Sequence, residues 1–175
     1  VSNQSTTITN SAANNAVTGS YNNAGTTVFF GVKGSGSFVG GLVGYIRDSS
    51  ITGSSANTVV IGQSSDVGGL VGRMETGASI TTSGSMGTVT GVGNVGGLVG
   101  VMYNSSNVSG SYANSSVTST GGNTGGLVGY FNTTGNITDS RASGSVTGTS
   151  SVGGFMGAMT VSGSVYRSYA TGMVK

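Results

Sequence analysis

Apolar residues in this chain follow a spacing of two, and no stretch shows the three-and-four spacing of a helix face. In Leu42-Val43-Gly44-Tyr45-Ile46, residues two apart share one face of an extended strand. The Ile46 position recurs as Met74, Met102, Phe131 and Met159, always large and apolar. Leu42, Gly44 and Ile46 are therefore expected to point inward, with Gly44 making room for its large neighbours. A second short strand begins at Ile51 and a third covers Ala56 through Val60. Polar residues and glycine fill the gaps, where turns belong.

This pattern repeats. The pentapeptide GGLVG starts at Gly40, Gly68, Gly96 and Gly125, and GGFMG follows at Gly153, at separations of 28, 28, 29 and 28 residues. A second pattern keeps the same beat, with an aliphatic residue at Ile8, Ile51, Ile80, Val108, Ile137 and Val165. Three residues on stands Ser11, Ser54, Ser83, Ser111, Ser140 or Ser168, and nine residues on Val17, Val60, Val89, Val117, Val146 or Val174. A unit of this size cannot bury an apolar face alone, whereas stacked copies close one continuous core. The expectation is an all-β fold, a parallel β-solenoid of about six coils, with roughly 28–29 residues and three short strands per coil. It forms a single repeat domain over residues 1–175. One interval breaks the rhythm: Ile8 to Ile51 is 43 residues, which implies an insertion at about residues 22–36. That stretch holds Thr26-Thr27-Val28-Phe29-Phe30, a segment suited to a hairpin or to a strand outside the coil.

Composition narrows the function by removal. The chain has no His and no Cys, which excludes disulfides, zinc or haem ligation and Ser-His or Cys-His catalysis. Six Lys+Arg against four Asp+Glu give a net charge of +2, too sparse for a patch that grips a nucleic-acid backbone. No apolar run approaches the ~20 residues of a membrane span, and the Gly runs lack the Lys-Ser/Thr of a phosphate loop. The acids Asp48, Asp66, Glu75 and Asp139 stand at different positions in their units, so no paired-carboxylate site is expected, no cofactor is called for, and the chain reads as a non-enzyme.

The residues resemble the GLUG-repeat family of secreted and cell-surface proteins, many of them bacterial and adhesin-like. The family pairs a GGLVG box with a segment matched here by Gly163-Ser164-Val165-Tyr166-Arg167-Ser168-Tyr169-Ala170-Thr171-Gly172-Met173-Val174 and by Gly110-Ser111-Tyr112-Ala113. The likeness covers nearly the whole chain outside the insertion, with Gly84-Ser85-Met86 departing from the Tyr-Ala of the pattern. It implies an extracellular structural or adhesive role without catalytic residues: a stalk or fibre segment of a surface protein.

Three surface features qualify that expectation. Tyr45, Tyr103, Tyr112, Tyr130, Tyr166 and Tyr169 are suited to stacking on sugars, so the alternative role is a carbohydrate- or host-surface-binding adhesin domain. Ladders of Thr and Ser, such as Thr88/Thr90, Ser116/Thr118 and Ser145/Thr147, keep ice binding as a lower alternative, although Val59/Ile61 interrupts them. N-glycosylation sequons stand at Asn3, Asn104, Asn107, Asn114, Asn132 and Asn136, and Asn107 and Asn136 occupy the same place in successive units.

The ends point to assembly. Counting back from Ile8 places a further GGLVG box before Val1, and after Val174-Lys175 the next box is due. Neither end reads as a polar cap. The expected partners are therefore further coils or copies of the chain joined head to tail, with Phe29, Phe30 and Val174 as assembly contacts.

Overall fold

The computed structural model describes residues 7–14, 22–23, 26–27, 31–63 and 65–175. Val17, Phe29, Phe30 and Asn3 lie outside the described residues. Among those described there is no helix, and so none long and apolar enough to cross a membrane. The chain winds as a parallel β-solenoid of about five turns, because each repeat pairs with the next at a fixed offset. Ile51 stands on Ile80, Val67 on Val95 and Met74 on Met102.

A coil has four strands rather than the expected three. Face I is Ser50–Thr52 and its equivalents, face II Ser55–Gly62, face III Asp66–Gly68 and face IV Val71–Glu75. Asp66–Gly68 reads as a turn because of its glycine, yet it pairs as a parallel strand with Phe38–Gly40 below and Asn94–Gly96 above. Two cores result. The larger gathers Leu70, Val71, Met74, Ile80 and their equivalents, and the smaller stacks Val67, Val89, Val95 and Val117. Val71, expected to face outward opposite Leu70, is buried with it. The chain bends at Gly69-Leu70, so the two-residue alternation breaks between Leu70 and Val71.

The glycines of the box serve backbone contacts. A Cβ on Gly72 would meet the carbonyl oxygen of Gly44 and the amide nitrogen of Val39, each at 2.6 Å. Gly100 and Gly129 stand in the same relation to Gly72 and Gly100. The expected reason, room for large side chains, is thus replaced: faces III and IV approach so closely that only hydrogen fits between their main chains.

The serine ladder is the hinge between faces I and II. Each hydroxyl donates to the carbonyl two residues earlier, as Ser83 Oγ does to Thr81 O at 2.8 Å. It also accepts the amide of the serine one coil before, as from Ser54 N at 3.1 Å. The series runs unbroken from Ser11 to Ser168. The residue before each serine is left-handed: Asn10, Gly53, Thr82, Gly110, Asp139 and Arg167 have φ of 48°, 58°, 47°, 54°, 51° and 44°. A β-branched residue is strained there. Thr82→Gly is therefore expected to stabilise the fold by about 1 kcal/mol, seen as a raised urea midpoint at unchanged slope. A lowered midpoint would contradict this account of the corner.

The coil resumes inside the expected insertion. Ala12–Asn14 pairs with the first half of Ser55–Gly62, and Val32–Gly34 pairs with its second half. Asn22–Asn23 pairs antiparallel with Thr26–Thr27, and Val32–Gly34, expected within the insertion at about 22–36, belongs to the coil. Val32 sits on Val60 and takes the rung expected for Val17, a pairing that a nine-residue count from Ile8 cannot foresee.

Candidate functional site

The densest side-chain chemistry lies on the outer side of faces III and IV. Asp66 is fully buried. Its carboxylate accepts Arg73 Nε at 2.6 Å and Asn94 Nδ2 at 3.0 Å. Asn123 Nδ2 then donates to Asn94 Oδ1 at 2.8 Å, so Asp66, Asn94 and Asn123 form a ladder up face III. The Arg73 guanidinium also reaches Glu75 Oε1 at 3.3 Å. It lies between two rings, 4.4 Å from the Phe38 centroid and 4.8 Å from that of Tyr103. Phe38 stacks on Tyr45 at 5.5 Å, and Tyr103 meets Tyr130 edge-on at 6.1 Å.

This is an aromatic ledge tied together by one arginine. One guanidinium faces two carboxylates, so the cluster keeps one net negative charge, and the low-dielectric setting of Asp66 makes its pairing mandatory. The Tyr45 hydroxyl donates to Glu75 Oε2 at 3.2 Å, and partial burial followed by the Glu75 charge raises its phenol above the ordinary value. Partial burial raises Tyr103 likewise, against the opposing charge of Arg73. What the ledge offers to solvent is ring surface, with Tyr45 40% exposed. Elsewhere Arg141 lies 5.0 Å from the Tyr112 ring centroid. Arg167 grips the exposed Asp139 at 2.6 and 2.7 Å, and these hydrogen bonds hold the Asp139 carboxyl below its usual range.

The sequence reading missed the ladder. Asp66, Asn94 and Asn123 each stand two residues before a GGLVG box, which is a signal visible once the residues flanking the box are aligned. Of the tyrosines expected to bind sugars, Tyr45, Tyr103 and Tyr130 gather here. Tyr112 lies on face II, and Tyr166 and Tyr169 lie on the last coil, 53% and 57% exposed.

The sequons Asn104, Asn107, Asn114 and Asn136 are exposed, and Asn132 is half-buried. Asn104 donates to Thr76 Oγ1 at 3.2 Å, and the amide oxygen of Asn107 accepts the backbone N–H of Asn136 at 2.8 Å. Adjacent rungs leave little room for two branched glycans at that pair. On face II, Thr90 stands on Thr118 and Thr118 on Thr147, but the row ends at Ile61. Val174 continues the core ladder by bridging to Val146.

Comparison with family models, with curated proteins and with solved structures finds no match to this chain.

Proposed function

We propose that this chain is a non-enzymatic extracellular structural module, a stalk or fibre segment of an adhesin-like, GLUG-type surface protein whose coils continue end to end. One observation carries the reading. Met159, Val165 and Val174 are 47%, 39% and 47% exposed, whereas their equivalents one coil earlier, Phe131, Ile137 and Val146, are fully buried. An apolar coil end with open strand edges is a template for another coil. The test is light scattering and electron microscopy on purified residues 1–175. Mass rising with concentration and filaments are expected, both suppressed by Val165→Lys with Val174→Lys. A cooperatively folded monomer at high concentration overturns the proposal.

A second reading, carbohydrate binding by the ledge around Phe38, Tyr45, Tyr103 and Tyr130, draws on its grouped rings. Selective binding on a glycan array that Tyr45→Ala abolishes is the outcome that favours it.

A further inference from the structure

We propose that the outer edge of the Val43–Arg47 strand is a strand-acceptor site for an extended, neutral peptide of the GGLVG type. This deepens the end-to-end reading by naming its joint, and rests on it only for the source of the strand.

The two ends of the solenoid are not flush. Among the described residues, face I starts with Thr7–Thr9 and face II with Ala12–Asn14, while faces III and IV start with Phe38–Gly40 and Val43–Arg47. The Val43–Arg47 strand ends the order of its sheet and, among the described residues, pairs only with Val71–Glu75. Beside its free edge opens a cavity of ≈ 370 Å³, lined by Ile8, Val43 and Ile46 with Tyr45, Arg47 and Ser50 among others. The notch is one rung deep, about 4.8 Å, which is the width of one added strand.

The occupant's chemistry is written in the coils that follow. Val71 stands on Val43 and Met74 on Ile46, so the slot asks for a β-branched residue and, three positions on, a large apolar one. In each later coil the leucine carbonyl accepts two amides from the coil before, as Leu70 O does from Leu42 and Val43, each at 3.0 Å. Leu42 O is the group that continues this series. Between the Val43 and Ile46 positions the acceptor itself carries a glycine, Gly44, whose missing Cβ makes room for an incoming main chain. At Gly72, Gly100, Gly129 and Gly157 the first neighbour of an added Cβ is the carbonyl of the preceding glycine, at 2.5–2.7 Å. At Gly44 the first neighbour is instead Phe38 O at 2.8 Å, and the next atom lies at 3.7 Å. Among the described residues, that leaves the carbonyl place open for the main chain of an incoming strand. The chain's own first residues do not supply this pattern. Counting back from Ile8 by the five or six residues that separate Ile51 from Ile46 or Ile80 from Met74 reaches Asn3 or Ser2, both polar.

The probe is a labelled, end-blocked peptide of residues 94–104, NVGGLVGVMYN, titrated onto residues 1–175 by fluorescence anisotropy with hydrogen exchange in parallel. Saturable binding and slowed exchange at residues 42–47 are expected. A peptide carrying Met102→Asp, which places a charge on the Ile46 position, is expected to bind about tenfold more weakly or worse. The edge variant Val43→Lys, checked for intact far-UV dichroism, should lose the peptide. No binding at about 1 mM peptide overturns the proposal, as does equal binding of the two peptides or protection confined to another edge. Light scattering on the same samples separates the two readings. Peptide capture by a protein that never self-associates leaves the acceptor site standing and removes the end-to-end role. Self-association without peptide capture does the reverse.

Discussion

Replacing Gly97 with alanine is expected to destabilise the protein by about 3 kcal/mol or more, enough to unfold a marginal solenoid. The added methyl would fall against the carbonyl oxygen of Gly126 in the next coil, and the Ala113 Cβ stands at 2.9 Å on the other side. Neither neighbour is the free end of a flexible side chain, so relief requires the rungs to part and their ladder hydrogen bonds to lengthen. Gly154 is the control. It holds the same place in its box, but its nearest contacts are ordinary ones, Val174 Cγ2 at 3.4 Å and Ala170 Cβ at 3.5 Å. Gly154→Ala is expected to stay within about 0.5 kcal/mol of the parent. Urea unfolding followed by tyrosine fluorescence or far-UV dichroism measures both. Similar losses at the two sites would show that the clash with the next coil's backbone is not what selects glycine.

The second large effect is expected at Arg73. Arg73→Ala strips the buried Asp66 carboxylate of its 2.6 Å partner and leaves Asn94 as the one neighbouring side-chain donor. An uncompensated buried charge costs about 3–5 kcal/mol, and the contacts with Phe38 and Tyr103 are lost as well. Adding Asp66→Asn removes the stranded charge and should recover more than half of the loss, so the double variant is the more stable of the two. Arg73→Lys keeps the charge but not the planar fork that bonds Asp66 and Glu75 while stacking between rings, and should fall between parent and alanine. If Asp66→Asn deepens the loss, the carboxylate is not the origin of the effect.

The same two sites mark how far the residues could be read in advance. Five boxes at near-constant spacing, with a serine ladder in step, dictate stacking, parallel pairing and which residue lies on which, because identical units offer no other register that buries their apolar positions. Ile51 on Ile80 and Val117 on Val146 follow directly. The polar chemistry was less legible. Arg73 and Asp66 stand seven residues apart, while Asn94 and Tyr103 come from the next coil. Their meeting depends on the tight bend that folds face III back on face IV, and no spacing rule within one strand contains that bend.

By itself, then, the sequence determined the coil: its period, its all-β character, the stacked aliphatic and serine rows, and the presence of one insertion. Repetition made these readable, since each position is stated several times over and chance agreement is removed. The tertiary structure alone decided the cross-section. It set four strands where alternation gives three, because Asp66–Gly68 is only three residues long, too short for a two-residue alternation to announce it. It buried Val71 beside Leu70 by bending the chain at Gly69-Leu70, and it seated Val32 on Val60. It also gave the box glycines their reason, since an oxygen of a neighbouring coil is invisible to any reading of one unit. Periodicity fixes what lies above and below a residue, whereas what lies across the coil depends on how the strands turn.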